Sequence, residues 1–366
     1  LKHIDLTRIT TNDLLNQVLP VGIYCPKKIT EVIKLKTPLP TLYSERCLGG
    51  GRMRMNHPMG IACTNAGDFL VADTFNHRIL KLSGVDGRTL WAFGSPGYGE
   101  RQFQCPCAIA VSRASGHVVA CDRDLNKVVL FRQDGAFVWA TRPQADGEGL
   151  EGPISIALMD NGKIFVGDRR CRIHVFALDG TPVRVFGGEG RAAGEFLLPS
   201  AISVVHTDIA VADRVLGRIS YFSSKGRFIR CVELPEHNPD PQSSFRCLHD
   251  DISVGPFGDI VVTSPRSSGA TYVVRLFAPT GALLLSCPRP RDDEIDYAEH
   301  PCLMHPYGVT FSPDGKIICC DHATDRIHVL SYWREGPTLG RLCGPAGLAT
   351  AFVRRLKRNR HANNKV

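Results

Sequence analysis

The amino-acid sequence predicts an all-β protein, a six-bladed β-propeller, and three observations carry the expectation. A unit of about 47 residues recurs along most of the 366-residue chain; each unit holds four short apolar runs; and Gly (35) and Pro (24) are abundant between them. A sheet of four strands cannot bury both faces alone, so such units must stack, and radial stacking of six gives the propeller.

Each unit opens with Pro and an apolar first strand, turns at Gly, and closes a second apolar strand with Asp. The clear copies run from Pro58 to Asp73, Pro106 to Asp122, Pro153 to Asp168, Pro199 to Asp213 and Pro306 to Asp321. The prolines lie 48, 47, 46 and then 107 residues apart, so the last interval holds two units. Phe103 and Phe196, each three residues before a unit's Pro, align with Phe245, which starts the fifth unit at Leu248. Its second strand ends in Thr263 instead of Asp, and an insertion at 265–270 follows.

Third strands follow the Asp after a short turn, as in Arg78–Leu82, Lys127–Phe131, Arg172–Phe176, Arg218–Phe222, Val273–Phe277 and Arg326–Leu330. Asp-Gly pairs such as Asp134-Gly135 and Asp179-Gly180 then turn the chain into a fourth strand, since this dipeptide favours tight hairpins. Ring closure requires a strand from one terminus to complete the last blade. Leu42–Cys47 occupies a fourth-strand position ahead of Pro58 and is assigned that role, with Gly340–Cys343 as the competing segment. The expected organisation is a lead-in over 1–41, the propeller over 42–335 and a basic tail over 336–366 that packs poorly.

Composition narrows the function classes. Hydrophobic residues at 43% and charged residues at 22% are those of a globular chain with a real core. No apolar run approaches the ~18 residues that span a bilayer. The net charge is +8, yet Arg354, Arg355, Lys357, Arg358, Arg360 and Lys365 supply six of it, leaving the body nearly neutral. The 14 cysteines include Cys63, Cys121, Cys319 and Cys320 inside apolar runs, where a thiol acts as a small hydrophobe; a reducing, cytoplasmic setting is expected. No Cys-x-x-Cys pair exists to hold structural zinc.

The segment Asp73-Thr74-Phe75-Asn76-His77-Arg78-Ile79, with Pro58 upstream and Gln102-Phe103 downstream, resembles the NHL repeat, and the resemblance extends over about 42–333. Within that family it is most similar to the carboxy-terminal propellers of tripartite-motif (TRIM) NHL proteins. The resemblance implies the recognition domain of a ubiquitin ligase whose RING is not in this sequence, with a protein partner or ubiquitination substrate, or single-stranded or stem-loop RNA, as ligand. It implies no intrinsic catalysis. Amidating lyases share this propeller type, but they need zinc-binding histidines, and His57, His117, His174, His206 and His305 show no shared repeat position that would bring three together. No metal, small-molecule cofactor or catalytic residue is expected.

The strand-ending carboxylates Asp73, Asp122, Asp168, Asp213 and Asp321 are each followed four or five residues later by a basic residue, which predicts structural ion pairs instead of a catalytic ring. The residues inside those turns are not explained by the repeat. They gather Phe75, His77, Arg123, Arg169, Arg170, Arg214, Arg266 and His322 on one face, joined by Arg54, Arg101 and Arg191 from just before the first strands. Arginine suits carboxylate and phosphate alike because its planar fork bonds both bidentately. These eleven residues are the candidate binding set, with protein slightly favoured over RNA.

Overall fold

The computed structural model describes residues 43–48, 55–141, 149–234, 251–255, 258–263, 272–288 and 303–331. The chain divides into two units, Leu1–Leu39 and Pro40–Val366, and every described residue lies in the second. Arg54, Arg266, the 265–270 insertion, the competing segment Gly340–Cys343 and the basic tail lie outside the described residues.

Six four-stranded antiparallel sheets form the blades. Blade 1 is β2 (Pro58–Cys63), β3 (Phe69–Asp73), β4 (Arg78–Leu82) and β5 (Thr89–Phe93). Blade 2 is β6 (Pro106–Val111), β7 (Val118–Asp122), β8 (Lys127–Phe131) and β9 (Phe137–Ala140); blade 3 is β10 (Ser155–Leu158), β11 (Ile164–Gly167), β12 (Arg172–Phe176) and β13 (Pro182–Gly187). Blade 4 is β14 (Pro199–Val205), β15 (Asp208–Asp213), β16 (Arg218–Ser223) and β17 (Phe228–Glu233); blade 5 is β18 (Ile252–Val254), β19 (Ile260–Thr263), β20 (Tyr272–Phe277) and β21 (Leu283–Pro288). Blade 6 takes β22 (Pro306–Phe311), β23 (Ile317–Asp321) and β24 (Arg326–Ser331), and its fourth strand is β1 (Tyr43–Leu48), paired antiparallel with β24. The closing strand is thus the upstream one.

The first strands touch in the cyclic order β2, β6, β10, β14, β18, β22 and back to β2, which makes them the wall of a central cavity. Successive side chains of a strand point to opposite faces. In β3, Phe69 and Val71 therefore enter the core shared with blade 6, while Leu70 and Ala72 enter the one shared with blade 2. Each of the six hydrophobic cores lies at a seam between two blades, so second and third strands are buried on both faces and read as unbroken apolar runs. Fourth strands are largely exposed, as in Pro182–Gly187.

Phe103 and Phe196 are fully buried between blades. Gly94 and Gly187 lie against these rings at positive φ (104° and 88°), and a Cβ on Gly94 would sit 2.5 Å from the Phe103 ring. Phe245 and Leu248, from which the start of unit five is set, lie outside the described residues. The Thr263 N–H donates to the Asp251 carbonyl (3.2 Å), which puts Asp251 opposite Thr263 as Pro58 lies opposite Asp73.

Candidate functional site

The strand-ending carboxylates are structural, but their partners differ from the sequence expectation. Asp73 pairs with Arg78 (2.7 Å) and Asp168 with Arg172 (2.7 Å). In blade 2 the Lys127 ammonium instead donates to the carbonyls of Gly99 and Gln102, and in blade 4 Arg218 reaches those of Arg191, Ala192 and Glu195. The carboxylates of those blades accept backbone N–H groups: Asp122 from Gln104, Cys105, Asp124 and Leu125, and Asp213 from Leu197, Val215 and Leu216. A loop carbonyl close by competes for a long basic side chain, and the capped carboxylate does not need it. Burial works against ionising Asp168, yet hydrogen bonds from His174 and Arg172 hold its carboxyl below the usual carboxylate range.

This capping fixes the residue that follows each Asp. The N–H of Arg123 donates to Cys105 O (3.0 Å), that of Arg169 to Glu151 O (2.9 Å), that of Arg214 to Leu198 O (2.9 Å) and that of His322 to His305 O (3.1 Å). In blade 1 the equivalent bond comes one residue later, from Phe75 to Asn56 O (3.1 Å), and Thr74 is buried with its hydroxyl on Pro106 O. Backbone position is set by the repeat, and the side chain is left to vary.

Arg123, Arg169 and Arg214 all line the central cavity, which has a volume of about 610 Å³. They stand at its mouth on three consecutive blades. Arg123 is half-buried and bonds Asp124 (3.0 Å); Arg169 is exposed, its stem lies across Gly152, and among the described residues it pairs with no acid. Below them the wall is mostly apolar, with Ile61, Ile109, Ile156 and Ile202 among its residues. The far end is lined by Arg113, Asp160 and His206, from turns between first and second strands.

Across the mouth, at the seam of blades 6 and 1, five rings meet. Phe75 is 54% exposed and stacks on His57 at 4.5 Å; His57 meets the edge of His322 at 4.3 Å; His322 lies 5.3 Å from His305 and 6.1 Å from Tyr307. His57 is locked by its own N–H on Asp325 Oδ1 (2.8 Å). Burial, helped by the neighbouring His57 and His305, pushes His322 down to about 4, so the ring is neutral at pH 7. Sequence reasoning found Phe75 and His322 and missed His57, His305 and Tyr307. Their signal was weak: they precede or open first strands in units far apart along the chain.

The other candidates separate from these sectors. His77 bonds Gln104 O through Nδ1 (2.8 Å) at positive φ (54°), which ties blade 1 to the next loop. Arg170 pairs with Glu151. Arg101 lies over the Phe137 ring at the periphery (5.0 Å), and Arg191 is exposed in the corresponding loop of blade 4. Among the described residues no group of three or more His, Cys, Asp or Glu is arranged to hold a metal ion, and no helix is long and apolar enough to cross a membrane.

No family model matches the chain. Residues of the chain are 28% identical over 177 positions to Protein brain tumor of Drosophila melanogaster, a tripartite-motif NHL protein; the match covers 48% of this chain and 16% of that protein. Among solved structures, a streptogramin B lyase matches with a TM-score of 0.54 at 17% identity, over 80% of this chain and 98% of its own. The virginiamycin B lyase of Staphylococcus aureus matches with 0.53 at 14% identity, over 80% and 99%. Identities this low establish likeness of fold. The six-bladed ring and the sequence match together support an NHL-like propeller resembling those of tripartite-motif NHL proteins.

Proposed function

We propose that this chain is a non-catalytic recognition scaffold, the partner-binding propeller of a tripartite-motif NHL-type ubiquitin ligase, and that it presents the mouth bearing Arg123, Arg169 and Arg214 to a protein. One observation carries the reading. A turn position whose side chain the repeat leaves free to vary holds arginine on three consecutive blades around one cavity. The strand-ending carboxylates, which an enzyme of this shape could use, are occupied by backbone N–H groups and basic side chains.

RNA is the second reading, favoured by Phe75, an exposed ring stacked on His57 on the same face as the arginines. Bases of single strands stack on such rings while basic residues hold phosphates. The test is a titration of the full chain, and of a chain lacking 344–366, with random single-stranded RNA at two salt concentrations, alongside partner capture by wild type and by Arg169→Ala/Arg170→Ala. The protein reading expects weak RNA binding indifferent to those arginines, and captured partners that are lost in the variant. RNA binding that falls steeply with salt and falls again in the variant overturns it in favour of RNA. Ubiquitin transfer by these 366 residues with the other ubiquitination enzymes supplied overturns the assignment as a scaffold without catalysis.

A further inference from the structure

We propose that the outer seam between blades 3 and 4, at the end of the propeller opposite the arginine mouth, is a docking site for a phosphorylated side chain of a protein partner, held by Lys163, Arg184, Lys225 and Arg227. The site is separate from the mouth, so it goes beyond the reading above and is tested apart from it.

The repeat is broken at this seam in two places, and both breaks add positive charge. In blade 1 Trp91, opposite Lys81, donates its indole N–H to Gln133 O of the next blade (3.0 Å), and in blade 2 Trp139, opposite Leu130, donates to Leu178 O (2.9 Å). The same position of blade 3, opposite Val175, is Arg184, which donates to Lys225 O. The counterpart of Gln133 O and Leu178 O is Ser224 O, and it accepts from the Lys163 ammonium (3.2 Å). Two cations do for this seam what one neutral indole does for the others. The second break lies in the turn itself. Asp86, Asp134 and Asp179 precede the glycines of their turns, and each accepts the N–H of the residue two places on (3.3, 2.9 and 3.0 Å). The corresponding residue of blade 4 is Lys225, and Ser223 Oγ accepts the Arg227 N–H (3.2 Å) in its place.

Four cations therefore converge on one turn. Lys163 and Arg184 are fixed on the carbonyls of consecutive residues, and Lys225 and Arg227 belong to the same turn. Arg184, Lys225 and Arg227 are exposed and Lys163 is half-buried, so all four are open to a ligand. Among the described residues none of the four forms an ion pair: Asp208, opposite Ser223 in the ladder, pairs with none of them, and Asp160, in the turn of Lys163, accepts from Ser112 Oγ (3.0 Å) and the Ala114 N–H (3.0 Å) of blade 2. The carbonyl bonds do not neutralise Lys163 and Arg184, because a carbonyl has no net charge and each head group keeps further N–H donors. Like charges held side by side raise the energy of the folded chain, and an anion between them lowers it.

The confinement of the charge selects the ligand. Among the described turns between third and fourth strands, those of blades 1, 2 and 3 contain Asp86, Asp134 and Asp179, and that of blade 5, at 278–282, contains no charged residue. A nucleic-acid backbone is held along a basic track, and on this rim it would next meet Asp179 or an uncharged turn. One phosphomonoester brings about two charges and three acceptor oxygens to one point, whereas a carboxylate brings one charge and two oxygens. The outer strands β13 and β17 each carry a bulge against their third strand, which hinders addition of a partner strand and leaves recognition to side-chain charge.

The experiment measures anisotropy of a labelled Gly-Ala-phosphoserine-Ala-Gly peptide, its serine twin and its glutamate twin, with the full chain at low salt. The phosphopeptide is expected to bind at least ~10-fold more tightly than either twin. Arg184→Trp and Lys225→Asp put back the residues that blade 2 carries at these positions; both are expected to melt at or above the wild-type temperature and to remove the preference. Lys225→Gln, whose side chain makes no bond in the structure, carries the same expectation if either variant fails to fold. Arg88→Gln, in the exposed turn of blade 1, leaves the preference intact. Binding of either twin as tight as that of the phosphopeptide, or a preference that survives Arg184→Trp and Lys225→Asp, overturns the site. A preference lost on Arg169→Ala moves the anion to the mouth and overturns it too. Labelled decauridylate, or vesicles containing phosphoinositide, bound more tightly than the phosphopeptide and released by Lys225→Asp, assign the seam to RNA or to a membrane and overturn it as well. Failure of the phosphopeptide while partner capture still depends on Arg169 strikes this site alone and leaves the recognition reading standing.

Discussion

The hydroxyl of Thr263, at the end of the second strand of blade 5, donates to the main-chain carbonyl of Tyr307 in blade 6 at 2.7 Å. The same kind of stitch recurs around the ring. Thr74 bonds Pro106 O (2.8 Å), Cys107 approaches Pro153 O (3.2 Å), Ser155 bonds Pro199 O (3.0 Å), Val254 N–H donates to Ser203 Oγ (3.0 Å), and Cys320 approaches Met59 O (3.4 Å). Every seam between blades carries one. They satisfy inner-strand groups that no intrablade ladder can reach.

Thr263→Val keeps the volume and removes both this bond and the one accepted from Asp251 N–H (3.1 Å). A buried hydrogen bond contributes about 1 kcal/mol, and the orphaned groups add to the loss, so a destabilisation of about 1–3 kcal/mol is expected in urea unfolding. A midpoint equal to wild type would show that the stitch contributes nothing.

Gly308→Ala tests how closely blades 6 and 1 approach. A Cβ there would lie 2.4 Å from Met59 O and 2.9 Å from Cys320 Sγ, where only backbone movement makes room. Overpacking of this kind costs roughly 1–3 kcal/mol. Thermal unfolding reads the effect, and a wild-type melting temperature refutes the tight seam.

Leu48, in the closing strand β1, packs with Met55, Leu82 and Val329 in the core between blades 6 and 1. Leu48→Ala should cost about 2–4 kcal/mol through lost burial and the cavity left behind. A chain beginning at Met55 also exposes the edge of β24 and is expected to self-associate, because an unpaired edge recruits another strand. Size-exclusion chromatography showing a stable monomer would contradict closure by β1.

Acid should destabilise the propeller between pH 6.5 and 4. His328 is fully buried on β24, and burial, with Arg326 acting against the pull of Asp321, pushes it down from 6.5 to about 4. In that interval the unfolded chain binds a proton that the folded chain refuses, so stability is full above pH 6.5 and lost as pH falls. The loss is on the order of 3 kcal/mol. His328→Gln should remove one share of the pH dependence of the urea midpoint and leave that of His322, which is shifted over the same interval; an unchanged slope assigns it to other groups.

The sequence by itself determined the ring and its period. A strand buried on both faces must be apolar at every position, and a turn capped by a carboxylate must carry Asp, so these local demands appear as a repeat: Phe69–Asp73, Val118–Asp122 and Ile317–Asp321 are copies because their environments are copies. The closing strand was legible by position, since Leu42–Cys47 stands where a fourth strand precedes Pro58, and the pairing with the last blade decided it over Gly340–Cys343. Only the tertiary structure decided which turn residues work together. Lys127 and Arg218 leave their carboxylates for loop carbonyls, which the fold brings near and no spacing encodes. His57 meets His322 only because the ring closes, joining positions 265 residues apart. Strand chemistry repeats with the chain, whereas a binding face is assembled across blades, from positions that the repeat leaves free.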